Sequence, residues 1–227
     1  MWTPLHLAAI NGQKVVAQKL ISNGVKVDFK NRSFQTALHL AANIGFGDVV
    51  EMLIAKGAEV DPKDRLKRTP LHLAAMNGHK AIAQNLISNG AKVDITDVFN
   101  QTALHLAAQN GHEDVVEMLI AKGAEVDPKD CHKRSPLHEA AAYGKLQIVQ
   151  MLIAKGAEVD PKDFHERTPL HEAAAYGKLQ IVQMLVANGA SLTSTDYQNQ
   201  TPYQIAIYNN KMLVAGYLKE VEEKRRN

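Results

Sequence analysis

The sequence predicts an all-α fold, an α-solenoid of stacked helix-turn-helix modules joined by β-turn or hairpin-like connections. Two observations carry this expectation. Hydroxyl residues recur at Thr3, Thr36, Thr69, Thr102, Ser135, Thr168 and Thr201, each 33 residues after the last. Self-similarity at a fixed period in this range marks a repeat architecture, because a unit of that size cannot bury its apolar side alone. Each of the first six periods also holds two apolar runs at helical spacing, each followed by glycine. In the fifth period these are Leu137, Ala140 and Ala141 before Gly144, then Leu146, Ile148, Val149, Met151, Leu152 and Ile153 before Gly156.

The elements of that period follow from local chemistry. Ser135 offers an N-cap acceptor, and Pro136 fixes φ at a first helical position that needs no donor. Gly144 stops the helix by accepting a left-handed conformation, so the first helix is about two turns long. The second helix ends at Gly156, with Lys155 suited to its negative end. From Ala157 to Arg167 there is no helical period, and Pro161 with two aspartates predicts a turn back to Thr168. The sixth period repeats PLHEAAAYGKLQIVQML from Pro169 to Leu185 without change.

Taken along the chain, the first period starts at Thr3 with only Met1 and Trp2 before it, and so lacks a preceding turn. A terminal module normally presents a polar outer face, yet this one reads much like the internal module at Thr69. The expectation is therefore either a piece of a longer protein or an N-terminal face covered by another domain or chain. Periods one and three share AQ-x-LISNG-x-KVD, and two and four share DVVEMLIAKGAEVDPKD, so pairs of units were copied. In the last period Glu220, Glu222, Glu223, Lys224, Arg225 and Arg226 replace the apolar stripe, which predicts a C-terminal cap at which the natural chain ends. The unbroken period leaves no linker, so residues 1–227 are expected to form a single domain.

The motif T-P-L-H-x-A, complete at Thr3, Thr69 and Thr168 and varied at the other anchors, recurs in strict register over essentially the whole length and resembles the ankyrin repeat family. There is one departure from the family pattern. Two residues before each hydroxyl anchor the family usually has glycine, whereas this chain has Phe34, Lys67, Asn100, Lys133, Glu166 and Asn199. Lysine, glutamate and phenylalanine tolerate positive φ poorly, so these turns are expected to be either strained or differently shaped.

Composition bounds the function. With 26 basic against 24 acidic residues, nothing favours nucleic acid or a membrane surface as partner through net charge. No apolar run reaches 18 residues, which argues against membrane insertion. The single cysteine, Cys131, excludes an internal disulfide framework and fits a cytoplasmic or otherwise intracellular setting.

Several residue patterns invite chemistry and fail on inspection. Histidines 6, 39, 72, 105, 138 and 171 form a row, but copies one module apart are too distant for zinc bonds of about 2.0 Å. The resemblance implies that each instead bonds locally at its helix start. His138-Glu139 and His171-Glu172 begin H-E-x-x-H, but Ala142 and Ala175 stand where the second histidine is needed. No phosphate loop or nucleophile elbow occurs. The pairs Asp61/Asp64, Asp127/Asp130 and Asp160/Asp163 are expected to cap turn amides rather than hold calcium. Met52, Leu53, Met118, Leu119, Met151, Leu152, Met184 and Leu185 are expected in the core. Neither a metal, a cofactor nor catalysis is predicted.

What remains are large side chains at positions the frame leaves free. Arg32, Arg65, Leu66, Val98, Phe99, Cys131, His132, Phe164, His165 and Tyr197 stand at turn tips, and Ile44, Phe46, Met76, Tyr143 and Tyr176 at first-helix ends. The resemblance implies that these two surfaces line a concave groove. Aromatic residues are only 5% of the chain, yet several occupy these few sites, as protein interfaces require. The expected function is a non-catalytic scaffold, most simply a monomer, binding a protein or peptide. Tyr143, Tyr176, Phe164 and Tyr197 are the preferred anchors. The alternatives are a spacer or targeting module of a larger protein, such as a multidomain enzyme or secreted effector, and a designed, consensus-derived scaffold.

Overall fold

A computed structural model describes residues 2–226; Met1, Asn227 and the Arg226 side chain of the expected cap lie outside the described residues. Among these residues there are fourteen helices and no strand. In chain order they are α1 (Pro4–Ile10), α2 (Lys14–Ser22), α3 (Ala37–Ile44), α4 (Gly47–Ala55), α5 (Pro70–Met76), α6 (Lys80–Ser88), α7 (Ala103–Asn110), α8 (Glu113–Ala121), α9 (Pro136–Ala142), α10 (Leu146–Ala154), α11 (Pro169–Ala175), α12 (Leu179–Ala187), α13 (Pro202–Tyr208) and α14 (Met212–Arg226). The first helix of each pair has seven or eight residues, the two turns that the glycine spacing predicts.

The chain forms two compact units, Met1–Ala124 and Glu125–Asn227. In the first, α1, α3, α5 and α7 stack in one layer and α2, α4, α6 and α8 in another, each odd helix also meeting its even partner. The second unit repeats this with α9, α11 and α13 against α10, α12 and α14. The core runs between the two layers. Leu53, Leu119, Leu152 and Leu185 are fully buried, and Met52 and Met118 nearly so. Met151 and Met184 depart from the expectation, being only partly buried. At the N-terminal module Leu7, Val15 and Val16 are exposed, whereas Val49, the counterpart of Val16, is fully buried. The last module pairs Glu220 with Lys224 at 2.6 Å on its surface, but it also exposes Tyr208 and Leu213.

Each first helix starts on the same capping box. The anchor hydroxyl faces the backbone N–H of the residue three further on, while that residue's side chain accepts from the anchor's own N–H. Such a cap is worth about 1 kcal/mol per helix. In the last module Gln204 takes the histidine's place and its Oε1 accepts from Thr201 N–H at 2.8 Å.

The histidine does more than the local bonding expected of it. In module two, Nδ1 of His39 accepts from Thr36 N–H at 3.1 Å, which leaves the proton on Nε2 to be donated to the Arg68 carbonyl of the next module at 3.0 Å. His6, His72, His138 and His171 reach Gln35, Gln101, Arg167 and Gln200 in the same way. Each ring is therefore a rivet between successive modules. Among the described residues no three metal-ligating side chains gather.

The aspartates divide the work that sequence assigns to them jointly. Asp64, Asp130 and Asp163 cap their own turns, each Oδ1 accepting two nearby backbone N–H groups at 2.8–2.9 Å. Asp61, Asp127 and Asp160 instead accept from backbone N–H groups 31 residues later, on Lys92, Glu158 and Ser191. Only the second aspartate of each pair is thus a local cap.

All six turn residues that replace glycine adopt left-handed backbone, with φ between 56° and 60°. The turns therefore keep one shape and carry the strain, which answers the open choice between strain and a different shape. A side chain there costs about 1–2 kcal/mol, partly offset by the entropy a glycine would lose on folding. Phe34→Gly and Lys67→Gly are each expected to raise stability by about 0.5–1 kcal/mol, and Asn100→Gly much less. Chemical denaturation of the three variants checks this, and a lower midpoint for Lys67→Gly would contradict it.

Candidate functional site

The turn tips are tied to one another through the backbone. Within the first unit Arg65 N–H donates to the Ser33 carbonyl and Val98 N–H to that of Leu66, both at 2.9 Å. Within the second, Phe164 N–H donates to His132 at 2.9 Å and Tyr197 N–H to His165 at 3.0 Å. A row of tips linked in this way holds its side chains in fixed register, so little ordering remains to be done when a ligand arrives.

Most of the expected surface residues are exposed at these places. In the first unit Arg32, Ile44, Arg65, Leu66, Val98 and Phe99 are exposed, and in the second His132, Tyr143, Phe164, His165, Tyr176 and Tyr197. Phe164, Tyr176 and Tyr197 keep 56%, 58% and 61% of their surface open to solvent, far more than an aromatic ring normally does without a partner. Lys133 Nζ lies 5.0 Å from the Phe164 ring centroid, and the His165 and Tyr197 rings lie 5.4 Å apart, so the tips of modules five to seven form an aromatic and cationic cluster.

Three of the expected residues are differently placed. Phe46, Met76 and Cys131 are only half-buried. The Phe46 ring lies over Gly12 of the preceding module, so close that a Cβ there would stand 2.7 Å from ring carbon Cε1. His79 covers Gly45 and His112 covers Gly78 in the same manner. Phe46 thus packs module on module. The Met76 carbonyl accepts from His112 Nε2 at 3.0 Å.

One feature of the second unit escapes the sequence reading altogether. Glu139 and Glu172 occupy the place that Leu40, Leu73 and Leu106 hold in earlier modules, and they are buried, at 3% and 7% exposure. A buried carboxylate needs a cation. Arg134 supplies one, its Nη1 3.2 Å from Glu139 Oε1 and its Nη2 3.6 Å from Glu172 Oε2. Arg167 lies 3.7 Å from Glu172 and 3.6 Å from Asp196. Burial pushes the Glu139 carboxyl above the usual range, and Arg134 opposes that shift. In module three, where leucine remains, Arg68 turns back onto its own Asp64 with bonds of 3.0 and 2.8 Å. The exchange of leucine for glutamate in modules five and six was the signal that could have revealed this network.

Beside it lies a cavity of about 410 Å³ lined by Arg167, Tyr176, Gln198, Gln200, Tyr208 and Asn209, with Ala175 and Ile205. It contains no arrangement of nucleophile, base and oxyanion donors. Among the described residues no helix is long and apolar enough to cross a membrane.

Comparison with known proteins agrees with this geometry. No curated protein sequence matches the chain. Among solved structures it is similar to the crystal structure of the human ASB11 ankyrin repeat domain, with a TM-score of 0.86 and 27% identity over 94% of this chain and 98% of that one. The family model described as ankyrin repeats matches residues 5–97, 71–163 and 137–225, and with nearly every residue accounted for in that way, the chain belongs to the ankyrin repeat family.

Proposed function

We propose that the chain is one domain of seven ankyrin repeats, acting as a non-catalytic, monomeric scaffold that binds a protein or peptide. Binding uses the turn tips and the exposed ends of the first helices. The observation that carries this reading is the set of aromatic side chains, Tyr143, Phe164, Tyr176 and Tyr197, all more than half exposed on successive modules whose backbones are hydrogen-bonded together. Aromatic anchors on a rigid frame are what interface hot spots require, each worth about 2 kcal/mol or more when buried by a partner. A single cysteine and the family's usual setting support a cytoplasmic or otherwise intracellular location.

The test is a paired measurement. Tyr143→Ala with Tyr176→Ala should weaken partner binding at least tenfold, while thermal stability changes little, because neither ring is part of the core. Unchanged affinity in a normally folded double variant would count against the assignment of this surface.

A further inference from the structure

We infer that the cavity beside Arg167 is a carboxylate-binding subsite, which takes a glutamate or aspartate side chain of the bound peptide. The inference rests on the peptide-binding reading above and adds the chemistry of one contact. Arg167 is the only charged residue lining the cavity among the described residues. Its guanidinium makes no hydrogen bond among them either: the nearest anionic oxygens, on Glu172 and Asp196, stand 3.7 and 3.6 Å away, beyond good hydrogen-bond length. Arg68, at the equivalent place, is fully engaged by Asp64 at 2.8 and 3.0 Å. The same residue type at the same position is thus hydrogen-bonded to its own turn in module three, and in module six is held only by two longer ion pairs.

A guanidinium with ion pairs but no short hydrogen bond can still offer a carboxylate two parallel N–H bonds. Glu172 and Asp196 are buried and do not line the cavity, so Arg167 is the charged group that the cavity presents. The rings of Tyr176 and Tyr208, both largely exposed, would cover the aliphatic stem of an acidic side chain. Gln198 and Gln200 offer amides for the peptide backbone beside it. A lysine or arginine from the partner would face the guanidinium across the cavity and be repelled.

Selection of random peptides displayed on phage against the full chain tests this. The selected peptides should be enriched in glutamate or aspartate, and changing that acid to its amide should cost at least tenfold in affinity. Arg167→Gln combined with Glu172→Leu recreates the pairing of Gln35 with Leu40 and of Gln101 with Leu106, so the module should fold. That variant should lose the same factor and no longer distinguish acid from amide peptide. Glu172→Gln alone should bind the acidic peptide more tightly, since one competing carboxylate is gone. Selected peptides that depend on Tyr143 and Tyr176 but ignore both the acid and Arg167 would overturn the subsite and leave the wider reading standing. Failure to select any peptide dependent on those tyrosines would overturn both.

Discussion

Lowering the pH from 7 to 5 is expected to destabilise the fold, by about 2 kcal/mol through His39 alone, because protons must enter the buried histidines that rivet the modules. His39 accepts from Thr36 N–H at Nδ1, so a proton there would meet a donor already in place. Burial holds its pKa down to about 4, against a smaller opposing pull from the Arg68 carbonyl and from Asp64. Burial likewise lowers His6, His72 and His171. In the unfolded chain these rings titrate near 6.5. Between pH 6.5 and the folded values the unfolded state binds more protons, so stability is fully present above 6.5 and falls as the pH drops through that window. For His39 alone the loss at pH 5 is about 2 kcal/mol. Glu139 acts with the opposite sign: its raised pKa means that protonation on acidification favours the folded state. One carboxyl is outnumbered by the histidines. Urea midpoints measured from pH 7 to 5 check the slope, and His39→Gln, which imitates Gln204 in the last module, should be less stable at pH 7 but flatter with pH. An unchanged slope in that variant would remove the histidine explanation.

Leu152→Ala should cost about 2–5 kcal/mol, because the side chain is fully buried in α10 and surroundings relax only partly around a lost core side chain. In a repeat architecture stability is a sum over modules and their nearest interfaces. The damage should therefore concentrate in modules five and six. Amide exchange should quicken most in α9 to α12 and least in α1 to α6. Uniform acceleration across all modules would instead mean one cooperative core without modular energetics.

Much of this was legible from residue order. The 33-residue period, the hydroxyl anchors and the glycines marked the helix pairs of the first six modules, since caps and stops are local chemistry. What the order of residues did not disclose was contact between modules. His39 at its helix start looks sufficient as a local cap, and nothing nearby in sequence announces the Arg68 carbonyl 29 residues on. Asp61 and Asp64 look alike in D-P-K-D, yet Asp64 holds its own turn and Asp61 the next module. Phe46 reads as a free aromatic until Gly12 is found beneath it. The Glu139 and Glu172 network was visible in principle, because both replace leucine in modules whose preceding turn residue is arginine, Arg134 and Arg167. Which side chains a partner touches depends on that partner, so the exposed aromatics mark a surface without naming its ligand.

The account depends on turn tips that are locked to one another, presenting variable side chains from a frame that is already ordered. Amide hydrogen exchange at Arg65, Val98, Phe164 and Tyr197 measures this directly, because each donates to the carbonyl of the preceding tip. Exchange at these four sites is predicted to be slowed to rates comparable with the helix amides of the same modules. Exchange at the rate of an unstructured peptide would show that the tips are loose and contradict the account.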